Sequence, residues 1–273
     1  MMFRATILVD NIPHDECTAE WGFCVQIDYR GRSYLLDTGS SDLYLTNAKK
    51  LGVNIADVDT AVLSHAHYDH SGGYASFFRE NQKAQLYVSG NCREDCYFKL
   101  GPVRKYVGVP RGLMAGYENR IVHASCGLHR LDDGVWLVPH LPNHLETIGR
   151  RAHMYRLADG HIVPDDFSHE QSLVFDTPKG LVVLNSCSHG GLSNIVQDVQ
   201  HYLPGHSVYM TIGGMHLAGM RKPAVRHIAA AIRTLGIERV VTGHCTGDKA
   251  FGVLREELGD EVQQTFVGQI IEV

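Results

Sequence analysis

Val-Leu-Ser-His-Ala-His-Tyr-Asp-His-Ser-Gly-Gly, residues 62–73, is the stretch on which the reading of this chain turns. Val62 and Leu63 extend an apolar run from Ala61, the pattern of a buried strand reaching its end. His65, His67, Asp69 and His70 follow at once. Imidazole and carboxylate together are ligands that Zn, Fe and Mn accept. Residues two apart in an extended segment project to the same side, so His65 and His67 pair up. A tight turn then carries Asp69 and His70 to a second position beside the first. Ligands this dense imply two metal ions rather than one. Gly72 and Gly73 are expected to let the backbone pass close to the cluster, where a Cβ would obstruct. The competing reading is a histidine-rich surface turn, and placement at a strand end argues against it.

The whole chain narrows the classes. Its 273 residues are ample for a sizeable core and allow one large α/β domain or two small ones. A formal net charge of -5 gives no basic footprint for nucleic acid. The first residues enter a strand-like pattern without a signal peptide's apolar region, and no apolar run reaches the roughly 18 residues that would span a membrane. Seven scattered cysteines are too few for a disulfide scaffold. The expectation is a reduced, cytoplasmic protein acting on a small molecule, with neither nucleic acid nor membrane as partner.

Upstream of the motif, strands are expected at 6–9, 21–28 and 33–36, the last two forming a hairpin with Gly31 in its turn. That hairpin ends in Asp37-Thr38-Gly39. Asp37 either caps this loop or supports a metal-binding histidine from behind, and the two roles are compatible. Helices are expected at 43–51, stopped by Gly52, and at 74–80, followed by a strand at 85–88.

The second half repeats the layout. A hairpin at 172–175 and 181–184 ends in Asn-Ser-Cys-Ser-His-Gly-Gly, residues 185–191, before a helix at 192–202. A strand at 208–212 runs into Gly-Gly-Met-His and a helix at 224–235. Another at 239–242 runs into Gly-His-Cys-Thr-Gly and the last helix. Strand, glycine-flanked histidine, helix recurs at His70, His189, His216 and His244, so the strand ends should converge on one site. His216 is open between ligand, substrate contact and satisfied core histidine. The remaining histidines, His140 and His144 among them, fit no pattern. Cys187 and Cys245 flank these histidines, so each is open between a place beside the metals and, the commoner reading, a small buried thiol.

Residues 91–150 are the least regular. Short strands are expected at 121–123 and 135–139, and Cys92 and Cys96 have C-x3-C spacing without a second pair, the mark of ordinary thiols. The segment is expected to be an insert that shapes the substrate pocket within a single domain, 1–273.

Taken together, T-I-L-V-D-N, L-L-D-T-G, S-H-A-H-Y-D-H-S-G-G, E-Q-S-L-V-F, G-L-V-V-L-N-S-C-S-H-G-G, I-G-G-M-H-L and T-G-H-C-T-G resemble the metallo-β-lactamase-fold hydrolases. The branch they resemble is the one named after 7,8-dihydropterin-6-methyl-4-(β-D-ribofuranosyl)aminobenzene-5′-phosphate synthase. The resemblance covers nearly the whole chain except 91–150. It implies an α/β fold, a four-layer αβ/βα sandwich of two similar halves with metals at one edge. It implies His65 and His67 on a first metal, Asp69 and His70 on a second, and His244 completing the second. Many members place an aspartate after the second hairpin to bridge the metals, where this chain has Cys187-Ser188-His189. They also carry a histidine before that hairpin, where this chain has Asp165, Asp166 and His169. His189 is therefore expected as a ligand, with Asp37, Asp165, Asp166 and Glu170 as supporting residues or further ligands.

The chemistry that follows is hydrolysis, or a related transfer, by hydroxide formed at two divalent transition-metal ions, with Zn first and Fe or Mn as alternatives. Asp69 is the expected proton acceptor as well as a ligand, and His216 could steady the developing oxyanion. The substrate would be a small ester, thioester, lactone or phosphorylated metabolite. Two other classes compete: an iron-containing redox protein, and a metal-stabilised binding or regulatory protein without turnover.

Overall fold

The computed structural model describes residues 3–140 and 145–273; His144 lies outside them. The first half runs β1 (Phe3–Val9), β2 (Cys24–Tyr29), β3 (Arg32–Leu36), α1 (Leu43–Lys50), β4 (Thr60–Val62), α2 (Tyr68–Ser71), α3 (Tyr74–Glu80) and β5 (Gln85–Val88). Next come β6 (Cys96–Leu100), β7 (Val103–Tyr106), α4 (Leu113–Gly116), β8 (Ile121–His123), β9 (His129–Asp132), β10 (Val135–Pro139) and α5 (Leu145–Arg151). They are followed by β11 (Met154–Ala158), β12 (His161–Pro164), β13 (Gln171–Thr177), β14 (Gly180–Leu184) and α6 (Leu192–Tyr202). The chain closes with β15 (Val208–Ile212), α7 (Lys222–Leu235), β16 (Arg239–Thr242), α8 (Asp248–Leu258), β17 (Val262–Gln264) and β18 (Ile270–Glu272).

These strands make two seven-stranded sheets, β18-β1-β2-β3-β4-β5-β8 and β17-β16-β15-β14-β13-β10-β9. Each has an antiparallel part and a parallel part, the latter β3-β4-β5-β8 in one and β14-β15-β16-β17 in the other. The sheets face each other across one core, where Phe3, Tyr29 and Tyr34 of the first set their rings edge-on to Phe175 of the second at 5.2, 5.2 and 5.3 Å. Truncating Phe175 to alanine there should cost about 3–5 kcal/mol. The outer face of the first sheet packs on α1 and α3 through Tyr44, Ala48, Phe77 and Phe78. The outer face of the second packs on α6, α7 and α8 through Ile195, Val225 and Val253. The result is the four-layer α/β sandwich expected.

Parallel strands deliver their C-terminal ends to one edge. Asp37 follows β3, His65 follows β4, His189 follows β14, His216 follows β15 and His244 follows β16. Several expected elements match residue for residue: α3, β5, α6, β15 and β16. Two boundaries differ for visible reasons. Helix α7 starts at Lys222, because Pro223 is preorganised for a first turn. Strand β2 starts at Cys24 rather than residue 21, because residues 20–23 are engaged with Ser40, Ser41 and Asp69.

Residues 91–150 contribute to three sheets: β8 to the first, β9 and β10 to the second, and β6 and β7 to a small antiparallel sheet, β12-β11-β6-β7, completed by residues 154–164. Among the described residues no helix is long and apolar enough to cross a membrane.

Candidate metal centre

The motif loop folds as the spacing suggests. The rings of His65 and His67 lie 4.6 Å apart, and the short helix α2 turns back so that His70 sits 4.1 Å from His65. His244 comes within 5.0 Å of His70, while His189 lies 4.9 Å from both His65 and His67. All five are buried. The room that Gly72 provides is toward residues 39–41 and not toward the ligands: a Cβ there would stand 2.1 Å from the Ser40 carbonyl oxygen. These glycines dock the metal loop on its neighbour, which is a different reason for them from the one expected.

Hydrogen bonds fix which nitrogen each ring presents. Asp37, wholly buried, accepts from His70 Nδ1 at 2.7 Å and from the Ser64 hydroxyl at 2.7 Å through the same Oδ2. With its own proton given to Asp37, Ser64 Oγ accepts from His65 Nδ1 at 2.8 Å. Asn11 Oδ1 accepts from His244 Nδ1 at 3.2 Å. Each of these rings therefore carries a proton on Nδ1 and turns its Nε2 inward, without a partner in His65 and His244 and facing Cys187 Sγ in His70. The rings of His189 and Phe167 stack at 4.5 Å and 8°, which sets the plane of the imidazole. Glu170 accepts the backbone N–H groups of His189 at 2.9 Å and Gly190 at 3.0 Å, pinning the loop that carries it.

The backbone is strained around this edge. Asp37, Ser188, His216 and His244 all take left-handed φ values, 61°, 50°, 51° and 46°, a conformation that costs energy in residues with a Cβ and clusters at functional sites.

The centre has a donor set and no partner for it. His65 Nε2, His67 Nε2, His244 Nε2 and both ring nitrogens of His189 are buried without a hydrogen bond among the described residues. A buried polar atom left unpaired costs about 1–3 kcal/mol, so this many together require a shared partner. Burial, reinforced by the surrounding histidines, holds His65 and His189 well below the ordinary imidazole range and pushes His67 down to about 3. Neutral rings are the form that binds a metal. Burial opposes ionisation of Asp69, but His70 and His244 outweigh it and hold the carboxyl below its usual value. Neutral imidazoles, a carboxylate and free inward lone pairs fit divalent transition metals.

The other residues singled out from the sequence divide. His216 is part of the cleft, 4.4 Å ring to ring from His189, with Nδ1 unpaired and its backbone N–H donated to Cys245 Sγ at 3.2 Å. Asp165 is tied to His169 at 3.2 Å and to the Phe167 N–H at 2.8 Å, in a buried group with His67 and Cys96. His169 in turn accepts the Ala66 N–H at 3.1 Å, bracing the backbone between His65 and His67. Asp166 turns to Arg156 at 2.8 Å and to Ser168. Cys187, for which a small buried thiol is the commoner reading from the sequence, brings Sγ to 3.3 Å from His70 Nε2 and sits in compact groups with His65 and His70 and with His189 and His216. Its place after a strand, where relatives by resemblance carry an aspartate, was the signal. For Ser64, Asn11 and Trp21 there was none.

A cleft of about 360 Å³ opens onto the centre. Its floor includes His67, Asp69, Cys187, His189, His216 and His244; its walls are Trp21, Tyr68, Phe98, Lys105, Val107 and Met154. Phe98, Lys105 and Met154 come from the small sheet, which thus roofs the cleft. A larger hollow of about 520 Å³, beside α1 and lined by Lys49, Asn54 and Glu80, contains none of these groups.

Comparison with known proteins agrees with this geometry. The family model of the metallo-beta-lactamase superfamily matches residues 22–244. A relative from Methanocaldococcus jannaschii, 7,8-dihydropterin-6-methyl-4-(beta-D-ribofuranosyl)-aminobenzene-5′-phosphate synthase, is 27% identical over 274 residues, covering 91% of this chain and 88% of that protein. Among solved structures, Tm1679, described as a metal-dependent hydrolase of the beta-lactamase superfamily, superposes with a TM-score of 0.87 at 28% identity, covering 99% of both chains. YhfI from Bacillus subtilis, a metallo-beta-lactamase fold protein, shares the fold with a TM-score of 0.62 at 11% identity, covering 100% of this chain and 99% of that one. With a family model spanning most of its length and its histidines gathered at one sheet edge, the chain belongs to the metallo-beta-lactamase superfamily.

Proposed function

We propose that the protein is a dinuclear metal-dependent hydrolase, or a closely related transferase, acting on a small ester, thioester, lactone or phosphorylated metabolite. The observation that carries this reading is the set of buried imidazole nitrogens without partners on His65, His67, His189 and His244, with the opposite nitrogens of His65 and His244 held by Ser64 and Asn11. His65, His67 and His189 would hold one ion, and Asp69, His70 and His244 the other. Cys187 Sγ stands where it would reach the second ion. Two divalent ions, Zn first and Fe or Mn otherwise, would act as Lewis acids that make water acidic enough to attack near neutral pH and polarise the bond being broken.

The chain's own groups would then position and move protons. Asp69 Oδ2 is occupied by Trp21 Nε1 at 2.7 Å and faces His70 and His244, so the proton released by the attacking water would pass to Oδ1. His216, with Nδ1 unpaired in the cleft floor, would donate to the developing oxyanion. The small sheet would exclude solvent and shape the substrate pocket within a single domain. Lys105, in no ion pair among the described residues and set over the Tyr68 ring at 5.7 Å, favours an anionic substrate. That preference accords with a relative named as the synthase of a 5′-phosphate, and the same name makes group transfer the nearest alternative to hydrolysis.

The test is elemental analysis of protein purified without added metal, combined with a panel of esters, thioesters, lactones and phosphoesters. About two ions per chain, and turnover lost on chelation and restored by Zn or Mn, are expected. Full activity in metal-free protein would overturn the reading.

A further inference from the structure

Residues 20–23 lie far from the ligand motif in sequence and grip it in space. Trp21 Nε1 donates to Asp69 Oδ2 at 2.7 Å, and Phe23 donates its backbone N–H to the Asp69 carbonyl oxygen at 3.3 Å. Between them Gly22 passes so close that a Cβ would stand 2.7 Å from the same carbonyl oxygen. One short segment thus holds both the side chain and the backbone of Asp69. The segment is itself clamped. Glu20 Oε1 accepts the Ser40 and Ser41 N–H groups at 2.9 and 3.1 Å, its Oε2 accepts the Ser41 hydroxyl at 2.6 Å, and the Ser40 hydroxyl donates to the Trp21 carbonyl.

The indole also lies 4.9 Å from the His244 ring, tilted by 51°, so Trp21 touches two residues of the second metal position. It does this while 50% exposed, a poor arrangement if the ring served only the core. The oxygen it binds is the one directed at the metal position, 3.6 Å from His244 Nε2 and 3.9 Å from His70 Nε2. A carboxylate oxygen has two lone pairs. An N–H fixed on one leaves the other with a single direction, as partners behind a ligand are known to do.

We infer that Trp21 is a positioning residue for the second metal ion, its indole N–H holding Asp69 Oδ2 in the coordinating orientation. The inference rests on the two-metal reading, and its consequence is specific. Loss of the N–H should weaken the ion bound by Asp69, His70 and His244 and spare the ion bound by His65, His67 and His189.

The experiment uses the full chain stripped of metal and titrated with Zn²⁺. The chain has two tryptophans, Trp21 and Trp136, so ¹⁵N-tryptophan labelling gives two indole N–H signals, assigned independently with Trp136→Phe and with Trp21→Phe. The Trp21 signal should move only as the second equivalent binds, with Trp136 unmoved. Trp21→Phe, which keeps an aromatic wall, should bind the first ion like the unaltered chain and the second about 10–100-fold more weakly. Binding of both ions by Trp21→Phe as tightly as by the unaltered chain, or a Trp21 signal indifferent to two bound ions, would overturn this inference alone. Uptake of a single ion by the unaltered chain would overturn the two-metal reading and this inference with it. Should Trp21→Phe fail to fold, the indole signal of the unaltered chain decides the matter.

Discussion

Asp37 and His70, separated by 33 residues in sequence and both wholly buried, meet at 2.7 Å, and the same Asp37 oxygen takes the Ser64 hydroxyl that orients His65. One carboxylate therefore stands behind a ring of each proposed metal position. Its other oxygen accepts the Ser64 N–H at 2.7 Å, so an amide nitrogen at either place would face a donor. Asp37→Asn should lower affinity at both metal positions about 10–100-fold and cost about 1.5–3 kcal/mol of stability. Chelator competition and denaturant unfolding measure the two effects. Unchanged metal uptake in a folded variant would remove Asp37 from the orienting role.

His67→Ala and Asp69→Asn should separate binding from chemistry. Removing an imidazole deletes a proposed ligand, so His67→Ala should lose metal and turnover together. Asp69→Asn retains an oxygen but not the charge that accepts a proton, and its rate should fall at least ~10²-fold, with a smaller loss of metal. A normal rate with normal metal loading would exclude Asp69 from catalysis.

If His189 only packed beside the site, Asp165 or Asp166 would have to supply the missing ligand. The structure brings His189 to His65 and His67 and ties Asp165 to His169. Burial opposes ionisation of Asp165, yet His169 outweighs it and draws the carboxyl down to about 2, as befits an ion-pair partner. His189→Ala should lose the ion held with His65 and His67, whereas Asp165→Asn should retain that ion and lose stability. Metal counts on both variants check this, and a metal-bound structure should place a His189 nitrogen ~2.0–2.1 Å from the ion. Asp165 at that distance, with His189 outside it, would reverse the assignment.

Asp10 should give the protein a pH-dependent stability. Burial raises its carboxyl from 3.8 to about 7, only partly offset by the Thr265 hydroxyl at 2.7 Å and the Ile12 N–H at 3.2 Å. An acid with a higher pKa folded than unfolded binds its proton more tightly in the native state. The contribution of Asp10 to stability is therefore greatest below about 4, falls as pH rises toward 7 and levels off above it. Asp10→Asn keeps a neutral group able to bond both neighbours. Its stability relative to the unaltered chain should improve by at least ~1 kcal/mol between pH 5 and pH 8, read from urea unfolding at the two values. A difference that does not change with pH would show that Asp10 ionises freely.

Legibility followed how local the information was. Helix α3 and strands β5, β15 and β16 were readable because apolar periodicity and glycine stops lie within each segment. The small sheet was not: β7 is largely exposed, β6, β11 and β12 only partly buried, and they carry little alternation. Strands β17 and β18 are three residues each, too short to show a period, and exist through pairing with β16 and β1.

By itself the sequence determined the two-fold repetition of strand, glycine-flanked histidine and helix and the residue types able to bind metal, since each is written in neighbouring positions, while the sandwich followed from the family resemblance that those motifs carry. Only the tertiary structure decided which groups meet. It placed His189 beside His65 and His67 through a strand end and a stacked Phe167, paired Asp165 with His169 in a buried group next to His67, brought Cys187 to His70, and set Trp21 on an aspartate 48 residues later. The physical reason is that side-chain direction at a strand end depends on sheet twist, loop strain and the packing of distant elements, and no local pattern records it.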